Sequence, residues 1–251
     1  MLGALRAAGF DVATRNHAEA ILTGDFAAEL APLTEALLAF RMTAREIIAS
    51  GGGQAASTMR LRDALYAAGW GKHVFKVATM VDGRERIATS HEIDHVRRCP
   101  AGTLAFEIEW NNKDPFFDRD LENFQRLHVQ GAISVGILVT RGSRLQAELA
   151  GIVADALTRE GVSDVGALRD WGVKARTERQ EATLRQAMAR GESFAGAFAH
   201  FFVADKFGAA TTHWAKLADR IRRGVGNPCP MLLLGLPLSA VEGYSAASPE
   251  L

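Results

Sequence analysis

The stretch from Thr103 to Thr140 constrains this chain more than any other. From Leu104 to Trp110, apolar Phe106 and Ile108 alternate with acidic Glu107 and Glu109, the period of a strand with one face buried. Asp118 to His128 then places Leu121, Phe124 and Leu127 at helical spacing. Ala132 to Thr140 follows as an apolar run of the kind buried on both sheet faces. Strand, helix and buried strand in that order predict a crossover unit. The fold class is therefore α/β, with a parallel or mixed central β-sheet flanked by helices.

Further elements surround that unit. Residues 17–50 read as helical, with Asp25 as a capping residue, until Gly51-Gly52-Gly53 breaks the pattern. A second helix is predicted from Ala55 to Ala68, with Met59, Leu61, Leu65 and Tyr66 as its apolar face. Val74 to Met80 reads as a strand, residues 81–84 as a turn, Arg86 to Ala88 as a possible return and His91 to Arg98 as a short polar segment. Residues 143–204 are predicted mostly helical, an insertion or subdomain within one domain spanning 1–251. Phe194, Phe198, Phe201 and Phe202 form an aromatic stripe there that reads as core. Residues 205–213 read as loop, Trp214 to Arg223 as a short basic helix and Met231 to Leu236 as a last apolar strand.

Composition excludes several classes. At 251 residues the chain can bury one sizeable core. Its 29 basic and 29 acidic residues cancel, so no global positive field points to nucleic acid. Cys99 and Cys229 lack Cys-x-x-Cys partners, which argues against a zinc site or disulfide framework and for a reducing compartment. No apolar run approaches the ~20 residues of a membrane span. No signal-peptide pattern opens the chain, so a cytoplasmic location without membrane contact is expected.

The chemistry rests on carboxylates. Glu107 and Glu109 share one strand face, and Asp94 on a nearby element could close a cluster of three. Carboxylates held that close repel unless a cation or a shared proton relieves them. Mg²⁺ is the simplest such cation, taking oxygen ligands and commonly acting on phosphates. The plainer alternative is a solvated acidic strand face. Gly51-Gly52-Gly53-Gln54 lacks the Lys-Ser/Thr of a phosphate-binding loop and reads as a linker. Thr211, Thr212 and His213 fit either nucleic-acid contacts on a loop or a solvated turn. Arg220, Arg222 and Arg223 fit either phosphate clamps or a basic helix end. Asp118, Asp120 and Glu122 read as helix-start acids, and Arg97 and Arg98 as charges offsetting the acidic cluster.

Several segments in order resemble the type II restriction endonucleases of the BglII/BstYI family. They are Gly53 to Ser57 leading to Gly69-Trp70, then Ile93-Asp94, then Ala105-Phe106-Glu107-Ile108-Glu109-Trp110-Asn111-Asn112-Lys113. The Phe117 to Leu127 helix, the strand Ile133 to Val139, Gly208 to His213, and Gly226 to Gly235 complete the set, covering roughly 45–142 and 205–240. The resemblance implies a PD-(D/E)xK nuclease core with a five- or six-stranded mixed sheet. It implies a homodimer around double-stranded DNA and Mg²⁺-dependent cleavage at a short palindrome, with a cognate DNA methyltransferase as a separate protein.

Carried over by residue, Asp94 would bridge metal, Glu107 would be the second ligand and the backbone carbonyl of Ile108 the third. Glu109 stands where the core motif has Lys and these relatives have Gln. Its carboxylate would bind metal or act on the attacking water, as in the BamHI-type variant of the core. The Asp-to-Glu spacing is longer than in the relatives, which leaves Glu92 as the alternative first acid. Gln54 and Ser57 match an early segment near the scissile phosphate. Lys206, Thr211, Thr212 and His213 are the candidates for DNA contact. Two other readings stay open, a DNA-binding protein that has lost cleavage and a glycoside hydrolase using Glu107 and Glu109 as acid and base.

Overall fold

The computed structural model describes residues 1–49 and 55–245. The segment from Gly51 to Gln54, with the active-site role expected of Gln54, lies outside them. Helix α1 (Leu2–Ala7) leads into β1 (Asp11–Arg15), then α2 (Ala18–Gly24), α3 (Ala27–Ala39) and α4 (Ala44–Ile48). Helix α5 (Ala56–Ala67) precedes the long hairpin of β2 (Gly71–Val81) and β3 (Arg84–Cys99). The centre is β4 (Gly102–Glu109), α6 (Phe116–Val129) and β5 (Val135–Arg141). Helices α7 (Ser143–Arg159), α8 (Glu178–Ala189), α9 (Phe194–Lys206) and α10 (Trp214–Arg222) follow, and β6 (Met231–Leu236) ends the sheet.

The described strands form one six-stranded sheet in the order β1-β6-β5-β4-β3-β2. The pairs β4/β5 and β5/β6 are parallel, and β1/β6, β3/β4 and β2/β3 are antiparallel. The α/β class expected from the strand–helix–strand centre, and the mixed sheet that the family resemblance implies, are what is observed. Each face of the sheet carries its own apolar cluster. Leu104, Phe106, Ile137, Val139 and Leu234 meet the helices α3, α7 and α9 on one face. Ala105, Leu138 and Leu233 meet Phe117, Leu121 and Phe124 of α6 and Leu217 of α10 on the other. Strand β5 is buried on both faces along its whole length, as its unbroken apolar run requires. Gly136 allows α6 to pack this close, because a Cβ there would stand 2.5 Å from the Phe124 ring.

Several expectations are corrected. The helical reading of 17–50 divides into three helices, and Asp25 ends α2 rather than capping the next helix. Strand β1 was not foreseen. It is a short edge strand held by pairing to β6, and its composition alone is weak. The return strand and the polar segment after it are one strand of 16 residues. Its side chains are polar because much of the outer hairpin is exposed, so backbone pairing to β2 holds it rather than burial. In α5, Leu61 and Leu65 are buried but Met59 and Tyr66 are exposed. Within 143–204 the aromatic stripe is core, as expected: Phe194, Phe198 and Phe202 are buried with the inner faces of α7 and α9 in the cluster that also takes in the sheet, and Phe201 packs half-buried against it. Helix α9 runs through Lys206, so the connection to α10 is shorter than the loop expected over 205–213.

Candidate active site

Glu107 and Glu109 project from β4 on the face covered by α6. Both are almost fully buried, at 4% and 3% exposure. Asp94 reaches the same place through a backbone irregularity. Gly71 pairs with Val96 and His73 with Ile93, so β3 sets two residues, Asp94 and His95, opposite the single Lys72. Such a bulge turns side chains that a regular strand would send elsewhere. Its effect is visible in the packing, since Ile93 and Val96, an odd number of residues apart, both enter the cluster on the α6 face. The register His95↔Phe106 then brings Asp94 alongside Glu107, and the Asp94 amide donates to Glu107 Oε1 at 3.4 Å. Glu92 instead pairs with Lys72 at 2.6 Å, while Lys72 lies 3.9 Å from Asp94. Of the two alternatives for the first acid, the geometry brings Asp94 to Glu107.

A fourth carboxylate completes the group. Asp120, read from the sequence as a helix-start acid, is 0% exposed on the buried side of α6; its Oδ2 meets no N–H donor among the described residues, and its carboxyl lies close enough to that of Glu109 to share a proton. Its place was readable in principle. Asp120 lies three residues after Phe117 and four before Phe124, on the same helical stripe as the core positions. Arg119 binds Asp120 Oδ1 through Nε and Nη2, both at 2.7 Å, and reaches Glu109 Oε1 at 3.4 Å. Asn112 Nδ2 donates to Glu109 Oε2 at 2.6 Å. Arg97 and Arg98, expected to offset the acids, turn instead to the Gly69 carbonyl and to His73.

Burial and mutual repulsion dominate the electrostatics. Loss of solvent, then Asp120 and Asp94, hold the Glu107 carboxyl well above its ordinary range. Glu109 is pushed up to about 8, chiefly by burial and next by Asp120, against the opposing hydrogen bond from Asn112 and the charge of Arg119. Because the folded pKa of Glu109 lies above its unfolded value, the protonated form stabilises the fold. That contribution is full below about pH 4.5 and is lost as pH rises toward 8. In metal-free protein, Glu109→Gln is therefore expected to raise Tm at pH 8 and to change it little at pH 4.5. A gain of ~2 kcal/mol corresponds to roughly 4–8 °C in a chain of this size. Equal Tm differences at the two pH values in thermal scans would contradict this electrostatic account.

The remaining candidates sort by exposure. Ser57 is buried in the first turn of α5 and does not line the cleft formed by Asp94, Glu107 and Glu109. Lys206, a candidate for DNA contact, turns inward and donates to the carbonyls of Ile47 and Ala49 at 2.7 and 2.6 Å. Burial lowers its pKa to about 8. Thr212 is fully buried and exchanges hydrogen bonds with the backbone of Asn112. Thr211 and His213 stay half-buried beside it. The basic residues at the end of α10 are engaged too, Arg220 by Asp114 and Asp118, and Arg222 and Arg223 by Asp219.

Sequence reasoning passed over Arg141. It ends β5 with 0% exposure and no carboxylate partner among the described residues. It donates to the Trp110 carbonyl, to Asn111 Oδ1 at 2.8 Å, to Gln146 Oε1 at 2.8 Å and to Thr211 Oγ1 at 2.7 Å. The rings of Trp110 and Phe207 cover it. Burial lowers its pKa to about 9. Arg141 thus ties the exit of β4, which carries Asn112, to the connection between α9 and α10.

The donor set fits a hard divalent cation. Asp94, Glu107 and Glu109 line the cleft together with Ile108, and a fully buried Asp120 oxygen beside them meets no N–H donor among the described residues. As they stand, no three His, Cys, Asp or Glu side chains among the described residues are grouped so that they could hold a metal ion. A mixed sheet with a bulged acidic strand, and acids clustered under the crossover helix, defines a restriction-endonuclease-like α/β protein. The model of the family described as restriction endonuclease BglII/BglIII matches residues 10–236, and the chain belongs to that family of type II site-specific deoxyribonucleases. No curated protein matches the chain. Membership sets aside the glycoside hydrolase reading. No helix among the described residues is long and apolar enough to cross a membrane.

Proposed function

We propose that this restriction endonuclease is Mg²⁺-dependent and cleaves duplex DNA at a short palindrome as a homodimer, alongside a separate methyltransferase. The observation that carries the reading is the Asp94 amide held against the Glu107 carboxylate, with Glu109 two residues further along the same strand face. Asp94, Glu107 and the Ile108 carbonyl would hold the ion. When bound, Mg²⁺ lowers the pKa of a coordinated water and offsets charge at the phosphate. Glu109 is oriented by Asn112 and would hold or accept a proton of the attacking water through its carboxylate. The side chains of α6 and β4 exclude bulk solvent from one side of the cleft, which strengthens every charge interaction inside it. Two-fold protein symmetry would match the two-fold symmetry of a palindrome. Thr211 and His213, half-buried on either side of Thr212, would be the loop's contacts with a DNA groove.

The test is cleavage of supercoiled plasmid. Linear or nicked product is expected with Mg²⁺, and EDTA is expected to slow it by about 10³-fold or more, since the ion's contribution is several kcal/mol at ~1.4 kcal/mol per tenfold. Cleavage that persists in EDTA would remove the metal. Tight duplex binding without cleavage in Mg²⁺ or Mn²⁺ would favour the DNA-binding alternative. Sequencing the product ends would give site and stagger together.

A further inference from the structure

The cleft of ≈ 500 Å³ around Asp94 and Glu107 is lined by four carboxylates, Glu92, Asp94, Glu107 and Glu109, with Asp120 beside them, and a DNA phosphate entering it would add more negative charge. Strand β4 offers no compensating cation, because both residues it projects there are acidic. Arg119 is the one Arg or Lys among the described residues that line the cleft.

Its geometry is that of a prepositioned anion contact. Asp120, fully buried, grips Nε and Nη2 of the guanidinium at 2.7 Å. The Phe116 ring lies 4.5 Å from the guanidinium carbon, so the plane is fixed from the side as well. Yet the side chain is 53% exposed. Nη1 carries two N–H donors that have no partner among the described residues. A residue serving only to neutralise Glu109 and Asp120 would not need to line the cleft half-exposed with one nitrogen left free.

We propose that Arg119 is a catalytic residue that donates from Nη1 to a non-bridging oxygen of the scissile phosphate, with Asp120 as the residue that positions it. This rests on the nuclease reading above. Charge grows on those oxygens as the phosphodiester is attacked, so a fixed donor there acts on the transition state more than on bound substrate. Glu109, 3.4 Å from the same guanidinium, keeps its own orientation through Asn112 when Arg119 engages the phosphate.

The experiment compares the full chain with Arg119→Ala in single-turnover cleavage at saturating Mg²⁺. Duplex affinity in Ca²⁺, Mn²⁺ affinity by calorimetry and Tm are measured in parallel. Arg119→Ala is expected to cut about 10²–10³-fold more slowly. Duplex affinity is expected to change by less than about threefold, because one contact made mainly in the transition state adds little to ground-state binding. Mn²⁺ affinity should be unchanged or tighter, and free guanidinium should restore part of the rate. A rate within about threefold of the parent overturns the proposal, as does a loss that follows Mn²⁺ affinity alone. Should the alanine variant unfold, Arg119→Gln keeps an amide against Asp120 and carries the same comparison. The parent protein is the control. If it does not cleave in Mg²⁺ or Mn²⁺, the nuclease reading fails and this proposal falls with it, whereas a cleaving parent isolates the role of Arg119.

Discussion

Glu107→Ala is expected to reduce plasmid cleavage by about 10³-fold or more while leaving the protein folded. The side chain is 4% exposed and contributes a carboxylate that burial, Asp120 and Asp94 all push toward protonation. A carboxyl in that condition stabilises the fold poorly at neutral pH, because ionising it costs desolvation and adds repulsion. Its removal leaves a small cavity but also relieves the neighbouring acids, so Tm in EDTA at pH 8 should not fall by more than a few degrees. Duplex affinity in Ca²⁺-free buffer should stay level or rise, since one negative charge leaves the cleft. The combination is the diagnostic: activity lost, fold and DNA affinity kept. Unchanged cleavage by Glu107→Ala would refute the assignment of the site.

Arg141 should show the opposite pattern. Arg141→Ala removes a buried cation that holds four acceptors on three separate segments. Each half-buried acceptor is left without its donor and the site without its cation, and the expected cost is about 3–5 kcal/mol, roughly 10 °C in Tm for a chain of this size. Arg141→Lys should recover little. A single ammonium cannot span Gln146, Trp110, Asn111 and Thr211 at once, whereas the planar fork does so from one position. Cleavage should fall with stability, because the β4 exit loop also carries Asn112 and through it the orientation of Glu109. Urea midpoints and Tm of the two variants decide the matter. A lysine variant within about 1 kcal/mol of the parent would show that the charge matters and the fork does not.

Where the sequence was readable, periodicity made it so. The alternation at 104–110, the stripe of α6 and the apolar run of β5 each report the number of faces an element buries. That was enough for the α/β class and for putting Glu107 and Glu109 on one face. It failed at β1, whose pairing comes from β6, and at β3, whose outer half is exposed and therefore polar. It also misassigned Asp120, because an acid near a helix start is usually explained by the helix dipole.

The sequence by itself determined the crossover unit and the pair of glutamates, since both follow from the local spacing of apolar and acidic side chains. Only the tertiary structure decided how Asp94 meets Glu107, because a bulge is a property of two paired strands and neither strand records it alone. The same holds for the meeting of Asp120 with Glu109 and for the buried Arg141 with its acceptors. Each depends on groups far apart in the chain being packed close enough to exchange water for one another, and no local pattern encodes that distance.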